Sequence, residues 1–525
     1  MKFLQNITPR KYQEEIFKTC KEKNCLVVLP TGLGKTLIAL MLAIERIEKF
    51  PGQKVLFLAP TKPLAEQHLK SFKKYLPELF GSLELFTGNI KSQQRQKIWD
   101  SADIIFSTPQ CIANDLKKNL YTLEEVCLLI EDESHRCVKN YDYALIAKKY
   151  LTQSPRENQR ILGLTASPGN DKKTISTICK NLDIKEVELR TRKSEDVSEY
   201  LQERKFSKIN VELPAEMQEM RHVLKELHDK YIQELKSRRV LYAAPTKVNL
   251  INLQKKMFAT ISRGNKNFNY LAALSACAQA IKLQHAIELL ETQTLKGFQS
   301  YLQNLFEQAS KKKSKGVSKL VAKQEFNYLF MSANELLAKQ KEHPKINKSI
   351  EIIKKEIENN QNAKIIIFTQ FRETAAVLSK NLNKFPKINA GVFVGQTKKS
   401  SGKDKASGLS QKEQKEMIQK FSDNDLNVLC ATCIAEEGLD IPEVSAVIFY
   451  EPIPSAIRSI QRSGRTARLS KGKLIILITK NTRDETFYYV SRAKEKKMHS
   501  AIDSIKQDLN SGKKINNSEQ QKTLA

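Results

Sequence analysis

The sequence predicts an α/β protein in which two lobes, each a parallel sheet covered by helices, flank an all-helical insert. Two separate series of short apolar runs alternate with helix-like stretches. The stretch between the two series has helical periodicity and no strand-like run. A chain of 525 residues is also too long for one ordinary hydrophobic core, which favours two or three domains.

The first lobe is predicted over residues 1–213. Its strand-like runs are residues 25–30, 55–60, 103–109, 126–133 and 161–167. Each run is rich in Val, Ile and Leu on both faces, which is typical of parallel strands covered by helices. Helix-like stretches, such as residues 36–49 and 64–75, separate the runs and complete a βαβ series.

The rest of the chain is predicted to form the insert, the second lobe and a tail. Residues 214–341 carry apolar side chains at helical spacing, as at Met217, Met220 and Leu224, and form the insert. A second strand series, over residues 364–370, 391–395, 427–432, 446–450 and 474–479, predicts a second lobe at 342–500. The residues that remain, 501–525, are predicted to be a polar C-terminal tail.

Charge and composition limit the class of protein. The formal net charge of +30 indicates a polyanionic partner, although a generally Lys-rich surface explains the charge equally well. No run approaches the roughly 20 apolar residues that a membrane span needs. Residues 1–10 have no signal-peptide core, and the nine cysteines are scattered. We therefore expect a cytoplasmic protein, associated with the nucleoid if its source is prokaryotic, and no membrane partner.

A phosphate-binding loop follows the first predicted strand. Thr31, Gly32, Gly34, Lys35 and Thr36 lie between this strand and a predicted helix. Glycines let backbone N–H groups approach a phosphate, and the helix N-terminus adds its dipole. Lysine at this position can reach the β- and γ-phosphates, and the following hydroxyl can hold Mg²⁺. The loop predicts ATP and Mg²⁺ as cofactors.

Two carboxylates end the fourth predicted strand. Asp132 can hold Mg²⁺, because this ion prefers hard oxygen ligands. Glu133 is placed to orient and deprotonate the water that attacks the γ-phosphate. An acidic strand end facing solvent is the alternative, and the phosphate loop upstream favours the catalytic interpretation.

An arginine cluster in the second lobe completes the predicted active site. Residues 461–468 include Gln461, Arg462, Arg465 and Arg468. Arg465 and Arg468 are three residues apart and share one face if the segment is helical. An arginine supplied to a γ-phosphate is worth about 10³–10⁵ in rate. An ion-paired surface is the usual role of such a cluster, but the separate phosphate loop favours a catalytic one.

These motifs, in this order, resemble superfamily 2 helicases of the DEAD/DEAH-like kind, in which two RecA-like lobes share one ATP site. Residues 32–36 resemble motif I, 132–135 motif II, 165–167 motif III and 461–468 motif VI. The resemblance implies an ATP hydrolase in which Lys35, Glu133, Gln461, Arg465 and Arg468 are catalytic.

The resemblance also assigns roles to residues outside the phosphate loop. It places Arg10 and Gln13 where this family reads adenine, and Gly438 and Asp440 in motif V facing the nucleotide. It assigns coupling between the ATP site and the nucleic acid to three residues of motifs II and III, namely His135, Thr165 and Ser167.

A motor that tracks a strand needs sequence-independent backbone contacts on both lobes. Candidate loops with hydroxyl, glycine, amide or basic groups follow the predicted strands. Those of the first lobe are Pro60, Thr61, Lys62, Thr87, Gly88 and Thr108. Those of the second lobe are Gln370, Arg372, Gln396 and Thr432. Each alone would be an ordinary turn, so the prediction depends on the whole set.

Further sequence segments indicate which subfamily of these helicases the chain resembles. The insert, together with residues 368–373, 394–396 and 451–455, is similar to the archaeal Hef helicase and the Fanconi anaemia group M family. This similarity implies forked or branched DNA as the partner. Dicer and the antiviral RNA-sensing helicases share the insert, so a double-stranded RNA-stimulated ATPase is the alternative. A non-catalytic scaffold is disfavoured because Lys35, Glu133 and Arg465 are present.

Hef proteins usually carry a C-terminal nuclease domain followed by a helix-hairpin-helix module, and neither pattern occurs before Ala525. We therefore expect no DNA cleavage from this polypeptide. A separate nuclease or a sliding clamp is a candidate protein partner.

Overall fold

The computed structural model describes residues 3–139, 141–264, 267–312, 314–396, 408–436, 441–466 and 471–511. Two parallel sheets flank a bundle of helices, so the predicted fold class is confirmed. No helix within the described ranges is both long and apolar enough to cross a membrane.

The first sheet has seven parallel strands in the order β3-β4-β2-β5-β6-β1-β7. The strands are β1 Cys25–Val28, β2 Lys54–Leu58, β3 Leu83–Phe86, β4 Ile104–Ser107, β5 Val126–Asp132, β6 Ile161–Thr165 and β7 Glu186–Leu189. The five predicted strands are present and buried along their whole length. The two strands at the edges, β3 and β7, were not predicted, because glutamates interrupt their apolar pattern.

Eight helices accompany this sheet in the part of the chain that the structure describes. They are α1 Lys11–Glu22, α2 Lys35–Lys49, α3 Lys62–Tyr75, α4 Ser92–Ser101, α5 Pro109–Lys117, α6 Asp142–Gln153, α7 Lys172–Asn181 and α8 Glu195–Ser198. Six residues, 29–34, separate the end of β1 from helix α2, which is buried from Leu37 to Ile44 and so fixes the phosphate loop between them against the sheet.

The insert consists of helices α9–α14, and no strand occurs in the described part of residues 214–341. The helices are α9 Ala215–Ser237, α10 Lys247–Ser262, α11 Phe268–Thr292, α12 Leu295–Ser310, α13 Lys315–Val321 and α14 Gln324–Ala338. Small side chains of α11, such as Ala276, Cys277 and Ala280, are buried and let the neighbouring helices pack closely around it.

The second sheet has six parallel strands in the order β10-β11-β9-β12-β13-β8. The strands are β8 Arg204–Val211, β9 Ile365–Phe368, β10 Ala390–Phe393, β11 Val428–Ala431, β12 Ala446–Phe449 and β13 Gly472–Thr479. The helices of this lobe are α15 Pro344–Asn359, α16 Arg372–Leu382, α17 Gln411–Ser422, α18 Ala456–Ser463 and α19 Arg483–Asn510.

Strand β8 lies within the range that we assigned to the first lobe, but it pairs with β13 of the second sheet. The pairing runs in parallel register from Arg204 opposite Gly472 to Val211 opposite Thr479. The strand is polar and half exposed, as an edge strand can be, so it gives no apolar signal in the sequence. The chain therefore crosses to the second lobe before it enters the insert.

The prediction of a polar tail from residue 501 is wrong up to Asn510, because α19 continues through it. Met498, Ile502 and Ile505 form a stripe on this helix and are buried in the core of the first lobe. Lys172 of α7 also pairs with Asp508 at 2.6 Å. Helix α19 thus begins in the second lobe and ends on the first, and residues 512–525 lie outside the described residues.

A buried polar network joins the insert to the second lobe. The ammonium of Lys345 pairs with Asp484 and donates to the carbonyl of Thr292 at 3.3 Å. Both charged side chains are almost completely buried. Nearby, Gln293 Oε1 accepts a hydrogen bond from Thr374 Oγ1 at 2.9 Å. The joint between α11 and α12 is therefore fixed to the second lobe.

Candidate active site and nucleic-acid interface

The phosphate loop lies between β1 and α2, as its sequence predicts. Gly32 and Gly34 have φ angles of +88° and +74°, in the left-handed region that favours glycine. A Cβ on Gly34 would also fall 2.3 Å from Gln13 Nε2, so a larger residue would displace the Gln13 side chain from the loop. Lys35 Nζ donates to the carbonyl of Leu29 at 3.0 Å. The loop and the α2 N-terminus form a cradle suited to a triphosphate.

Side chains of α1 brace this loop. The Tyr12 hydroxyl and Gln13 Nε2 both donate to the Leu33 carbonyl, at 2.7 and 3.1 Å. Gln13 Oε1 accepts from the backbone N–H of Arg10 at 2.9 Å, and the Arg10 guanidinium lies over the Tyr200 ring at 5.1 Å. The structure thus places Arg10 and Gln13 beside the phosphate loop, and their contact with adenine stays a prediction.

One histidine joins the two residues predicted to hold Mg²⁺. His68 Nδ1 lies 3.5 Å from Thr36 Oγ1, and His68 Nε2 lies 2.8 Å from Asp132 Oδ2. Burial opposes ionisation of Asp132, but the His68 hydrogen bond and the charges of His68 and Lys35 outweigh it and lower the pKa of Asp132. A hydroxyl and an ionised carboxylate are oxygen ligands that fit Mg²⁺.

Glu131, the first of three consecutive acidic residues, is fully buried beneath this site. Burial raises the pKa of Glu131 to about 8. The carboxyl group is therefore mostly protonated at neutral pH and does not repel the charge on Asp132.

The predicted coupling residues form a continuous chain of contacts. Glu133 has a left-handed backbone with φ of +52°, and its Oε2 lies 3.2 Å from His135 Nδ1. His135 Nδ1 lies 3.4 Å from Thr165 Oγ1, which accepts from the N–H of Ser167 at 3.1 Å. The Ser167 hydroxyl then contacts Met498 Sδ of α19 at 2.8 Å. Contacts therefore run from the predicted catalytic base to a helix that starts in the second lobe.

The segment that carries the predicted arginine cluster lies next to the phosphate loop. Gln461, Arg462 and Arg465 are buried on and just after α18. A Cβ on Gly464 would fall 2.2 Å from Thr31 Oγ1, so the end of α18 touches the phosphate loop. Three further predicted residues, Gly438, Asp440 and Arg468, lie outside the described residues.

Two residues of this site were missed from the sequence. His68 lies on α3, 64 residues before Asp132, and its spacing gives no signal. Glu436 follows the 3₁₀ turn Cys433–Ala435 and contacts three arginines of the cluster region. Both act through tertiary contacts that a single sequence does not reveal.

The predicted nucleic-acid residues all follow the carboxyl ends of strands. In the first lobe they follow β2, β3 and β4, which are neighbours at one end of the sheet. In the second lobe they follow β9, β10 and β11, which are also neighbours. The buried residues are Pro60, Thr87 and Thr432, the exposed ones are Gly88 and Gln396, and the half-buried ones are Thr61, Lys62, Thr108, Gln370 and Arg372.

A buried ion pair supports one of these loops. Arg95 Nε donates to Asp115 Oδ2 at 2.7 Å, and Arg95 Nη1 lies 3.4 Å from the Thr87 carbonyl. Thr61 and Thr108 are the N-cap residues of α3 and α5, so they lie beside helix N-termini that favour phosphate groups.

Three family models match the chain in succession. Residues 10–175 match the DEAD/DEAH box helicase model, residues 216–343 match a putative ATP-dependent RNA helicase helical bundle, and residues 347–470 match the helicase conserved C-terminal domain.

Known relatives cover nearly the whole chain. The crystal structure of the Pyrococcus furiosus Hef helicase domain superposes on this chain with a TM-score of 0.72. The two sequences are 41% identical, and the match covers 93% of this chain and 100% of that chain. The putative ATP-dependent RNA helicase MJ1505 of Methanocaldococcus jannaschii is 38% identical over 94% of this chain. The Fanconi anemia group M protein homolog of Mus musculus is 30% identical over 96% of this chain.

The chain spans 60% of the length of MJ1505 and 26% of the length of the mouse protein. The Hef helicase domain, by contrast, is matched in full. With both lobes, the insert and the ordered motifs in place, the chain belongs to the ATP-dependent superfamily 2 helicases, in the family of the Hef helicase domain and the Fanconi anaemia group M proteins.

Proposed function

We propose that this chain is an ATP-driven helicase or translocase that acts on forked or branched DNA. The observation that carries the proposal is that, in each sheet, the candidate nucleic-acid loops follow different strands from the phosphate loop or the arginine helix. The candidate backbone-contact loops follow three adjacent strands at one end of each sheet. The phosphate loop follows β1, towards the other end of the first sheet, and the end of the arginine helix α18 touches it.

The chain's own residues suit the hydrolysis of ATP. The glycines of the loop and Lys35 bind the phosphates, while Glu133 takes a proton from the attacking water. Arg465 approaches from the second lobe and offsets the charge that develops on the γ-phosphate. Thr36 and Asp132 would hold Mg²⁺, and the bound ion would supply positive charge that offsets the charge of the phosphates.

Translocation follows from the two separate sets of backbone contacts. If each lobe holds the strand at its own loops, closing and opening of the cleft shortens and lengthens the distance between two grips. The contacts from Glu133 through Ser167 to Met498 give a physical route by which the hydrolysis state reaches the second lobe. The net charge of +30 attracts the phosphate backbone.

The substrate class rests on similarity. Hef and the Fanconi anaemia group M homolog are among the relatives, and fml1 of Schizosaccharomyces pombe, 31% identical over 98% of this chain, is named an ATP-dependent DNA helicase. MJ1505 and the helical-bundle model carry RNA helicase names, so a double-stranded RNA-stimulated ATPase is the second candidate.

ATP hydrolysis measured against a panel of nucleic acids tests the proposal. The panel contains forked DNA, four-way junctions, linear duplex DNA and duplex RNA, and Glu133→Gln protein serves as the catalytic control. We expect forks and junctions to stimulate hydrolysis most. Stronger stimulation by duplex RNA would favour the second candidate, and no stimulation by any of these ligands would refute both.

A further inference from the structure

The carboxylate of Glu436 binds two arginines of α18. Its Oε2 and Oε1 accept from Arg458 Nε and Nη2 at 2.7 and 2.8 Å, which is the bidentate geometry of a strong ion pair. Its Oε1 also accepts from Arg462 Nε at 2.7 Å. The backbone carbonyl of the same residue accepts from Arg465 Nη2 at 2.7 Å. One residue therefore holds three arginines at successive turns.

These contacts are buried, and a charged group that is buried needs a partner of opposite charge. Glu436 is 6% exposed and Arg462 is fully buried, with its guanidinium 4.9 Å from the Phe368 ring centroid. The remaining guanidinium nitrogens of Arg462, Nη1 and Nη2, have no hydrogen-bond partner among the described residues. A buried arginine is unfavourable unless a counter-charge faces it, and Glu436 supplies this charge to Arg462 by a direct hydrogen bond.

The backbone ties Glu436 to a predicted nucleic-acid contact. Thr432 N donates to the Phe393 carbonyl at 3.0 Å, Ala435 N to the Thr432 carbonyl at 3.2 Å, and Glu436 N to the Cys433 carbonyl at 3.1 Å. Thr432 and Glu436 are thus the two ends of one short hydrogen-bonded turn after β11.

We propose that Glu436 is a positioning residue that aims Arg465 at the triphosphate from the turn that also carries Thr432. Its side chain holds α18 through Arg458 and Arg462, and its carbonyl holds Arg465 directly. The inference rests on the proposed function, because it assigns a role within the same ATP site. Glu436 does not itself touch the nucleotide in this role.

Glu436→Gln tests the inference, because it removes the charge and keeps the shape of the side chain. Under saturating ATP and forked DNA, kcat is expected to fall about 100-fold, the loss typical of a catalytic group displaced by 1 Å. The KM for ATP should stay within about twofold, because the phosphate loop lies on the other lobe. Glu358→Gln, an exposed change in the same lobe, is the matched control.

A double mutant separates positioning from general stability. In an Arg465→Ala background, Glu436→Gln should lower kcat by much less than it does in the wild type, because the main residue that it positions is gone. A further loss of similar size would overturn the inference, and so would wild-type kcat in the single variant. If Glu436→Gln does not fold, Glu436→Asp keeps the charge with a shorter reach, and its kcat must still fall about tenfold.

The two proposals fail in different ways. Wild-type protein without nucleic-acid-stimulated hydrolysis would refute the proposed function. Normal stimulation in the wild type, together with unchanged kcat in Glu436→Gln, would refute only the role of Glu436.

Discussion

Replacing Lys345 with methionine should destabilise the unit formed by the insert and the second lobe. The Lys345 and Asp484 side chains are 0% and 1% exposed, and they pair with each other. The change leaves Asp484 buried opposite an apolar side chain and also removes the hydrogen bond to the Thr292 carbonyl. Removing one partner of a buried pair costs about 3–5 kcal/mol.

Protonation of Asp484 decides whether the loss of stability lies at the lower or the upper end of this range. Burial already raises the pKa of Asp484, against the opposing charge of Lys345. Without the lysine this pKa rises further and the carboxyl group takes up a proton, which limits the loss to about 3 kcal/mol. For a unit of this size, each kcal/mol shifts the melting temperature by roughly 2–4 °C, so we expect a decrease of about 6–12 °C.

Thermal unfolding followed by circular dichroism measures the effect, with Lys355→Met as the control. Lys355 is exposed on the same helix, α15, and its loss should change stability by less than about 0.5 kcal/mol. The double variant Lys345→Met/Asp484→Asn removes both charges, keeps an oxygen acceptor for the Thr479 N–H, and should regain part of the lost stability. Unchanged melting of Lys345→Met, or a double variant less stable than the single one, would contradict the reasoning.

Three further changes address hydrolysis, lobe docking and pH. Glu133→Gln should lower kcat by about 10²–10⁴ and leave ATP-analogue binding intact, which steady-state hydrolysis and equilibrium binding would check. Ile502→Ala should weaken docking of α19 by about 2–5 kcal/mol; hydrogen exchange unchanged over residues 498–510 would contradict this. Burial lowers the pKa of His343 to about 3. The unfolded chain therefore binds a proton that the folded chain excludes, and stability falls by about 1.4 kcal/mol per pH unit as pH drops below about 6.5. His343→Asn, which keeps the helix cap, should flatten this slope in urea unfolding.

The strands that could be predicted from the sequence are those buried on both faces. A strand such as β5, Val126–Asp132, must be apolar throughout its middle, and this leaves a continuous signal. Edge strands need to be apolar only on the side that packs, so β8, with its sequence RKFSKINV, resembles a loop. The same reason explains α19, in which three well-spaced apolar residues in a lysine-rich segment are enough to dock it on the first lobe.

The site could be predicted where its chemistry is local in sequence. The phosphate loop, Asp132 and Glu133 need particular residue types at fixed spacing, because the backbone itself positions them. His68 and Glu436 work through side-chain contacts with residues 22–64 positions away, so their spacing depends on the fold. The motif identified Arg462, but it did not predict that the side chain is fully buried, which only the structure reveals.

In the described part of the chain, both covalent connections between the lobes contact residues at or next to the predicted ATP site. At the first connection, just before β8, the Tyr200 ring packs against Tyr12 at 5.6 Å, and Tyr12 braces the phosphate loop. At the second, α19 brings Met498 against Ser167. We expect rotation of the lobes to change the contacts at these two places, because the chain crosses between two closely packed cores there. We therefore expect cleft opening to displace the Tyr12 brace or Ser167, which would couple hydrolysis to lobe motion through the path of the chain.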